Sequence, residues 1–580
     1  VQNLRLASIF REMADLLEVK GESVFKVRAY RRAAEQLEQL PEDLADVVRS
    51  GGIERLPGFG QALVAKAREF VATGRVEAHQ RLLAEYPAQV LDLLKVPGLG
   101  PRLAERLHRE LGVGGLDDLE QAARDGRLRT LRGMGPRAEE KILAGIEALR
   151  RQGARRSIGE VLPQARWLQA GLERLPAVER AVVAGSLRRW KETVKDADLV
   201  VVTSTPAELV ASLRAQGLAQ EVGGGEDRVA VVLPTGLKAD LRLVEAVHFP
   251  SALHHFTGSK EHHVLLRERA RRMGLSVSEY GLARDGGTPD PLASEEELYG
   301  RLGLAFVPPE LREGHEELEL AEQGALPVLL GRDDLKGDLH VHTDWSDGRA
   351  SLEQMVEAAR ARGYRYLAVC DHSPAVRVAG GLSPERLLAQ IERIERLNRT
   401  LEGFRVLVGT ECDILADGTL DYPDELLERL DWVVASIHSR MGQDAETLLA
   451  RYRRALESPW VDAVGHPTGR LLGRRDAMEV PVEGLVELAA RRGAALEINA
   501  SPERLDLDSR WARVAAQAGV RLVVSTDAHH PEHLDFIEYG VGIARRAGLG
   551  PAQVVNAWDE KELLGWIRAR REAARRPPPA

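Results

Sequence analysis

Cysteine is scarce. The 580 residues contain two, Cys370 and Cys412, each in or beside an apolar run. Two thiols cannot build a disulfide framework, and they read as core residues of a reducing compartment. No stretch is long and apolar enough to span a membrane. The first residues, Val1-Gln2-Asn3-Leu4-Arg5, lack the shape of a signal peptide, so the expected location is cytoplasmic. An excess of positive charge is missing too. The formal net charge is −9, which excludes a generally basic surface. Any contact with nucleic acid must rest on local basic faces such as Arg28 to Arg32 and Arg269 to Arg272. What the chain does have is length for several domains and enough apolar residues for ordinary cores. Arginine exceeds lysine, as both a GC-rich genome and heat adaptation would produce.

The chain is organised around Ala184-Gly185-Ser186-Leu187-Arg188-Arg189, which runs on to Asp196-Ala197-Asp198. Val178 to Val183 upstream and Leu199 to Val202 downstream read as strands. The Gly-Ser turn between them opens a short helical piece. Glycine lets backbone N–H groups approach an anion, and a helix N-terminus favours negative charge. Asp196 and Asp198 are two apart, so both point to one face of a strand. Asp240 lies in Leu237 to Leu243, where Leu and Ala alternate with Lys, Asp and Arg; Pro234-Thr235-Gly236 before it reads as a hairpin turn. Three carboxylates beside a phosphate cradle can hold two divalent ions. Taken alone, the Asp-x-Asp pair is as readily a pair of surface acids.

These residues resemble the nucleotidyltransferase core of the family X DNA polymerases. A second block agrees: Phe256-Thr257-Gly258-Ser259, then His263 and Arg267. The resemblance implies that Asp196, Asp198 and Asp240 are the catalytic metal ligands. It further implies that Gly185, Ser186, Arg189, Phe256, Gly258, Ser259, His263 and Arg267 surround the incoming nucleotide. Two positions depart from the family pattern: Lys195 stands where a small residue is usual, and Ala197 is smaller than the usual apolar residue. Glu295 to Leu304, Val307-Pro308-Pro309 and Leu311-Arg312-Glu313 resemble the end of such a polymerase.

The N-terminal third repeats one device. Leu4 to Leu17 and Phe25 to Leu37 have helical periodicity. Leu56-Pro57-Gly58-Phe59-Gly60, Val96-Pro97-Gly98-Leu99-Gly100 and Leu131-Arg132-Gly133-Met134-Gly135-Pro136 each place a tight Gly-x-Gly turn before a helix. This resembles the helix-hairpin-helix motif, three times over. It implies DNA-phosphate contacts at Gly58, Gly60, Gly98, Gly100, Gly133 and Gly135, with a monovalent cation bridging. The bland reading of any one copy is a Gly-capped helix pair. In family X the first two hairpins belong to the domain that grips a gap's 5′-phosphate and to the duplex-holding subdomain; the third has no assigned counterpart. By the same resemblance Lys26, Arg28 and Tyr30 contact phosphate, and Lys66 is the candidate lyase nucleophile. The bland reading of Lys66 is a solvated charge.

The C-terminal part carries seven short apolar strands with helical stretches between them, the pattern of a parallel α/β barrel. Metal-ligating residue types fall at the strand ends: His340, His342 and Asp347, then His372, Glu411, His438, His466, Asp527 and His529. Any one of these histidines singly reads as core or surface. Together they suffice for up to three ions, and mixed imidazole–carboxylate ligands suit zinc, manganese or iron. The pattern resembles the PHP phosphoesterase domain. Arg470-Leu471-Leu472-Gly473-Arg474-Arg475 follows His466 and is a candidate for holding substrate phosphates.

The expected architecture is therefore multidomain. Residues 1–78 form a small helical DNA-end-binding domain, 79–153 a duplex-binding helix-hairpin-helix domain, and 154–245 an α/β nucleotidyltransferase palm. Residues 246–315 select nucleotide and template, 316–335 form a linker, 336–570 a PHP distorted (β/α)7 barrel, and 571–580 a disordered tail. The resemblance to bacterial family X polymerases implies gap filling in DNA repair, including base excision repair. It implies a metal-dependent 3′–5′ exonuclease or 3′-end-processing activity, with AP-endonuclease cleavage as a variant. Mg2+ or Mn2+ would serve the polymerase site and Mn2+, Zn2+ or Fe2+ the barrel. Gapped or primed double-stranded DNA and dNTPs would be the partners of a nucleoid-associated monomer with no membrane contact. The alternative is a DNA-anchored PHP nuclease or phosphatase whose polymerase core is weak or inactive, because Lys195 competes for the carboxylates.

Overall fold

The computed structural model describes residues 2–40, 44–56, 58–96, 98–152, 155–284 and 287–575. Pro57, Pro97 and the Pro577-Pro578-Pro579 end lie outside them. The chain divides into two compact units: Val1–Arg156, Gln164–Val182 and Lys195–Ala246, and then Ser157–Pro163, Val183–Val194 and Val247–Ala580.

The first unit begins with helices Gln2–Val19 and Val24–Gln39. Leu6, Phe10, Met13 and Leu17 recur every three or four residues and share a core with Val27, Tyr30 and Leu37 of the second helix. The three glycine turns then repeat one geometry. Gly58, Gly98 and Gly133 have φ of 84°, 83° and 91°. Phe59, Leu99 and Met134 donate their N–H to Leu56, Val96 and Leu131 at 3.1, 3.0 and 3.0 Å. Each second glycine leads into a helix: Gln61–Thr73, Pro101–Leu111 and Pro136–Gln152.

The unit also carries a five-stranded sheet of β1 (Arg180–Val183), β2 (Ala197–Val202), β3 (Glu221–Gly224), β4 (Arg228–Val232) and β5 (Lys238–Val244). Its order is β1-β2-β5-β4-β3. β2 is parallel to β5, and β4 is antiparallel to it. The expected hairpin turn joins β4 to β5, with Leu233 N–H bonded to the Leu237 carbonyl at 2.8 Å and Gly236 at φ 78°. Leu199 to Val202 are buried on both faces, whereas β5 alternates buried Ala239, Leu241 and Leu243 with half-buried Asp240 and Arg242. That difference is why β2 reads as an apolar run and β5 as an alternation.

In the second unit, helices Phe249–Thr257, Lys260–Arg272 and Glu295–Arg301 enclose a core of Leu266, Leu298, Tyr299, Leu302 and Val307. Residues 316–335 belong to this packing and are not a linker. The segment contains the helix Glu317–Glu322, its Leu318 and Ala321 join that core, and buried Glu317 meets His262 Nδ1 at 2.7 Å. An acidic, polar stretch read as a connector because only a few apolar side chains and the buried Glu317 carry its packing.

The rest of the unit is a parallel barrel of seven strands in sequence order: β6 (Gly337–Val341), β7 (Tyr366–Val369), β8 (Arg405–Asp413), β9 (Trp432–Ser436), β10 (Ala463–Val464), β11 (Ala495–Asn499) and β12 (Leu522–Ser525). A bridge between Val341 and Ala528 draws the last strand toward the first. Buried Asp338 reinforces it by accepting from the N–H and hydroxyl of Thr526. Leu339, Ala368, Leu407, Trp432, Ala463, Ala495 and Val523, one from each strand, share a core with Leu563 and Ile567 of the helix Glu560–Ala574. This helix corrects the expected domain end at 570. Arg571 is buried and pairs with Asp462 at 2.5 Å, beside Arg570 on the same carboxylate, so the polar end of the chain is anchored through Ala574.

The helix Ile537–Arg546 contains two glycines for which close approach is the reason. A Cβ on Gly540 would meet Val524 and Ala500 at 2.6 and 2.7 Å, and one on Gly542 would meet the Trp190 ring at 2.5 Å. The intrinsic helix cost of glycine, ~1 kcal/mol each, is accepted so that the helix can lie flat on its neighbours.

Candidate active sites

The sheet of the first unit gathers carboxylates. Asp198 on β2 is in direct register with Asp240 on β5, and Asp196 lies two residues before Asp198 at the mouth of the strand. All three act on Arg228, on the adjacent strand β4, and raise its pKa, the hydrogen bond it donates to Asp240 most of all. Arg228 grips Asp240 with two bonds, Nε to Oδ1 at 3.1 Å and Nη2 to Oδ2 at 2.7 Å. Sequence reading singled out Lys195 as the competing cation. Among the described residues Lys195 is exposed and makes no ion pair, and Arg228 takes that position. No local pattern marks Arg228, because its link to Asp240 runs across a strand pair.

The Gly185-Ser186 turn opens the helix Gly185–Arg188 in the second unit, with Gly185 at φ 59°. Its arginines meet the second sequence block. Arg188 Nη1 donates to Thr257 Oγ1 at 2.7 Å and its Nη2 pairs with Glu295 at 2.5 Å. Arg189 donates to the Thr257 carbonyl and to Glu313 Oε1, the latter at 3.1 Å. A Cβ on Gly258 would meet Arg189 Nη1 at 2.8 Å, so that glycine makes room for the guanidinium. Ser259 is buried and caps the helix Lys260–Arg272 by accepting from His262 N–H at 3.1 Å. His263 is buried against the His255 carbonyl at 2.9 Å, and burial pulls its pKa down to about 4. At neutral pH it is an uncharged imidazole packed against that carbonyl. Phe256 is half-buried, and Arg267 is exposed and unpaired among the described residues.

At the glycine turns, a Cβ on Gly60, Gly98, Gly100, Gly133 or Gly135 would touch nothing within 4 Å. These turns are open toward an approaching ligand, and Gly58 has only Arg32 Cβ at 3.7 Å. Lys26 and Arg28 are exposed. Tyr30 is mostly core, with its ring edge-on to Phe10 at 5.5 Å, a role its place in an arginine-rich segment concealed. Lys66 Nζ lies 5.9 Å from the Tyr30 ring centre. Burial lowers its pKa, and Lys26 and Arg81 lower it further against Glu69.

At the barrel rim all nine residues singled out by sequence converge. Glu411 is the hub. Its Oε2 lies 2.9 Å from His372 Nδ1, 3.5 Å from His340 Nε2 and 3.7 Å from His342 Nε2. Its Oε1 lies 2.8 Å from His466 Nε2 and 3.3 Å from His438 Nε2. Asp527 Oδ1 is 3.1 Å from His342 Nε2, and Asp347 Oδ1 is 3.2 Å from His529 Nε2. Three groups have metal-chelating spacing: His342, Asp347, His372 and His529; His340, His342 and Asp527; and His372, Glu411 and His438. The groups share His342 and His372, so these residues could hold more than one ion close together.

The donor set fits such ions. His340 Nε2, both nitrogens of His342 and His372 Nδ1 are buried without a hydrogen-bond partner, a costly state unless a ligand takes them. The outward nitrogens are engaged: His340 Nδ1 with Glu497 at 2.7 Å, His438 Nδ1 with Asp413 at 2.9 Å, and His529 Nδ1 with the Asp527 carbonyl at 2.7 Å. Those contacts fix the rings with their Nε2 atoms facing the pocket. Glu497, which the sequence places on the sixth barrel strand, and Asp413, which no sequence signal singled out, thus orient two of the rings. His466 and Asp527 have φ of 24° and 55°, backbone strain of ~1–3 kcal/mol each that clusters at functional sites.

Charge balance shapes the pocket. Burial opposes protonation of His438, yet Glu411 and then Asp413 raise its pKa to about 9. His529 is likewise raised to about 9 by Asp347 and Asp527 against burial. His342 falls to about 3 through burial and its imidazole neighbours His529 and His372. The basic run is partly spent on other contacts. Arg470 donates Nε to the Arg504 carbonyl at 3.0 Å and pairs with Glu192 at 3.0 Å, and Arg475 donates to the Gly469 carbonyl at 2.9 Å. Arg474, paired with Glu503 at 3.4 Å, and Arg475 are both exposed.

An acidic triad on a palm-like sheet and an imidazole-rich barrel pocket define a two-site enzyme of phosphoester chemistry. Family models match four stretches of the chain. Residues 1–76 match a helix-hairpin-helix domain, 90–148 a SAM-like helix-hairpin-helix tandem, 252–313 the DNA polymerase beta thumb and 338–501 the PHP domain. The tandem covers the second and third hairpins together, which gives the third its counterpart. A Bacillus subtilis protein named DNA polymerase/3′-5′ exonuclease PolX is 39% identical over 564 residues, 97% of this chain and 98% of the relative. Probable phosphatases from Acetivibrio thermocellus and Thermoanaerobacter sp. are 29% and 27% identical over 33% and 38% of this chain, covering 78% and 89% of their own lengths. The chain belongs to the bacterial family X DNA polymerases that carry a C-terminal PHP domain.

Proposed function

We propose that this enzyme extends primers at short DNA gaps in repair and processes the 3′ end with its barrel. The observation that carries the reading is the coexistence of both acid clusters in one chain, similar along nearly its whole length to a relative whose name pairs the two activities. In the first reaction the primer 3′-hydroxyl attacks the α-phosphate of a dNTP, the new phosphodiester forms, and pyrophosphate leaves. Asp196, Asp198 and Asp240 would hold Mg2+ or Mn2+, which supplies hydroxyl activation and charge neutralisation when bound. Gly185, Ser186 and Arg189 receive the triphosphate, with Phe256, Gly258 and Ser259 shaping the nucleotide's surroundings and Arg267 reaching the duplex. Arg228 must release Asp240 for this to occur.

In the second reaction water adds to the terminal phosphodiester and the P–O3′ bond breaks. A nucleoside 5′-monophosphate departs, and the shortened strand keeps a 3′-hydroxyl. The nine rim residues would hold Mn2+, Zn2+ or Fe2+, whose bound water is acidic enough to serve as nucleophile near neutral pH. The hairpin glycines, with Lys26 and Arg28, hold duplex phosphates and a bridging monovalent cation. Every group invoked belongs to one chain, so a monomer suffices, and the substrate puts the work at the nucleoid.

Extension and degradation of a gapped duplex by the purified full chain test this reading. Extension without degradation, or the reverse, would remove one half of it. A third activity rests on Lys66, whose lowered pKa favours the neutral amine that a Schiff base needs. Borohydride should trap the protein on a 5′-deoxyribose-phosphate end and fail to trap Lys66→Ala; no adduct with the unaltered protein would end the lyase reading.

A further inference from the structure

The loop after β11 holds one arginine in an unusual state. Asn499 N–H donates to the Asp506 carbonyl at 2.6 Å, and the N–H groups of Arg504 and Leu505 donate to the Ser501 carbonyl at 2.8 and 3.0 Å. The buried Asp506 carboxylate accepts from Thr468 N–H at 3.0 Å and from its hydroxyl at 2.9 Å. Arg470 clamps the Arg504 carbonyl from the other side. The backbone of Arg504 is thus fixed, and its side chain returns to the rim. Its Nε lies 3.4 Å from Asp527 Oδ2, an oxygen that also receives Asn499 Nδ2 at 3.2 Å, while Oδ1 of the same carboxylate faces His342. Arg504 Nη1 is buried and has no hydrogen-bond partner.

A buried guanidinium N–H without an acceptor is destabilising. It is more so beside a pocket whose imidazoles and carboxylates suit divalent cations, because cations on both sides repel unless an anion lies between them. The anion that satisfies both is one with several oxygens in a plane matched to the guanidinium fork, as a phosphate ester has. Arg470 nearby is already committed to Glu192 and two backbone carbonyls, whereas Arg475 gives its Nε to the Gly469 carbonyl and is exposed to solvent.

We propose that Arg504 is the phosphate-binding residue of the barrel site, receiving the non-bridging oxygens of the 3′-terminal phosphodiester and of the nucleoside 5′-monophosphate it yields. This rests on the phosphoesterase reading of the pocket and names the group that orients the ester there. Asp527 holds Nε, which leaves the Nη edge for the ester. Lysine at this position would keep the charge and lose the fork.

The test uses the manganese-loaded full chain and its Arg504→Ala and Arg504→Lys variants. Binding of thymidine 5′-monophosphate and of thymidine is measured by calorimetry, with metal content by elemental analysis. Arg504→Ala should weaken monophosphate binding about 10- to 100-fold, the size of a lost charged hydrogen bond. Arg504→Lys should fall between, thymidine binding should not change, and metal content should be retained. Unchanged monophosphate affinity in Arg504→Ala overturns the proposal. So does loss of metal in both variants, which would make Arg504 a support for Asp527 instead. If the unaltered protein binds no monophosphate, the phosphoesterase reading fails and takes this one with it; binding by the unaltered protein that ignores Arg504 sinks the arginine alone.

Discussion

At the scale of single residues, the barrel pocket is an acid–base device before it is a metal site. His438 and His529, held at about 9 by neighbouring carboxylates despite burial, carry protons at neutral pH when no ion is bound. A metal needs the lone pair, so it must displace them, whereas His342, at about 3, has no proton to lose. Adding Mn2+ to the metal-free chain at pH 7 should therefore release protons, seen with an indicator dye in weak buffer. The release should fade as the pH passes about 9, and affinity should rise over the same range. Metal uptake with no proton release would contradict these ring states. In the other site Arg228 competes with the metals for Asp240. Arg228→Ala should lower the half-saturating magnesium concentration for extension severalfold. A higher requirement would mean that Arg228 positions Asp240 and does not oppose the metal.

The limits of sequence reading also show at this scale. Asp196, Asp198 and Asp240 were legible because strand alternation and a turn signal place them, and the rim histidines because each ends an apolar run. Arg228, Arg504 and Glu497 were not, since each acts across strands or from a loop and a lone charged residue carries no periodicity. The motifs pointed to Tyr30 and His263 as ligand contacts without showing that both rings also pack in buried surroundings. Arg470 lay in a basic run read as a candidate phosphate holder, and its guanidinium is spent on Glu192 and backbone carbonyls.

Among elements, the glycine turns and the carboxylate-centred cluster at Glu313 make the clearest cases. The fold of each hairpin was readable because a positive φ demands glycine there. Gly98→Ala introduces no clash, since nothing lies within 4 Å, but the left-handed backbone costs a side chain roughly 1–2 kcal/mol. The added methyl also occupies space that a phosphate would approach. Fluorescence anisotropy should show weaker binding of gapped duplex with the fold intact; unchanged affinity would mean this hairpin is only a helix cap. Glu313 collects Arg189, Lys191 and Arg546. Burial opposes its ionisation, yet Arg546 and Lys191 hold its pKa at about 2, against an ordinary value of 4.5. A depressed acid stabilises the fold above its unfolded pKa and loses that contribution as pH falls through the folded one. The thermal stability advantage over Glu313→Gln should be full at pH 6 and vanish between about 4.5 and about 2. An advantage that persists unchanged to pH 2 would contradict this cluster. Such a network was illegible in sequence because Glu313 lies 124, 122 and 233 residues from Arg189, Lys191 and Arg546.

For the whole molecule, domain order was legible and domain borders were not. The barrel followed from seven apolar runs, the palm-like sheet from two strand types, and the hairpins from a repeat. The borders failed where polar segments pack: the helix Glu317–Glu322 inside a core, and the last helix continuing to Ala574 through Arg571 and Asp462. The central claim is that two separate acid clusters work on DNA from one chain. It is tested most directly by running gapped-duplex extension and 3′-degradation side by side on the unaltered chain, Asp198→Ala and His342→Ala. The account predicts that Asp198→Ala abolishes extension and keeps degradation, and that His342→Ala does the reverse. Loss of both activities in either variant would contradict it.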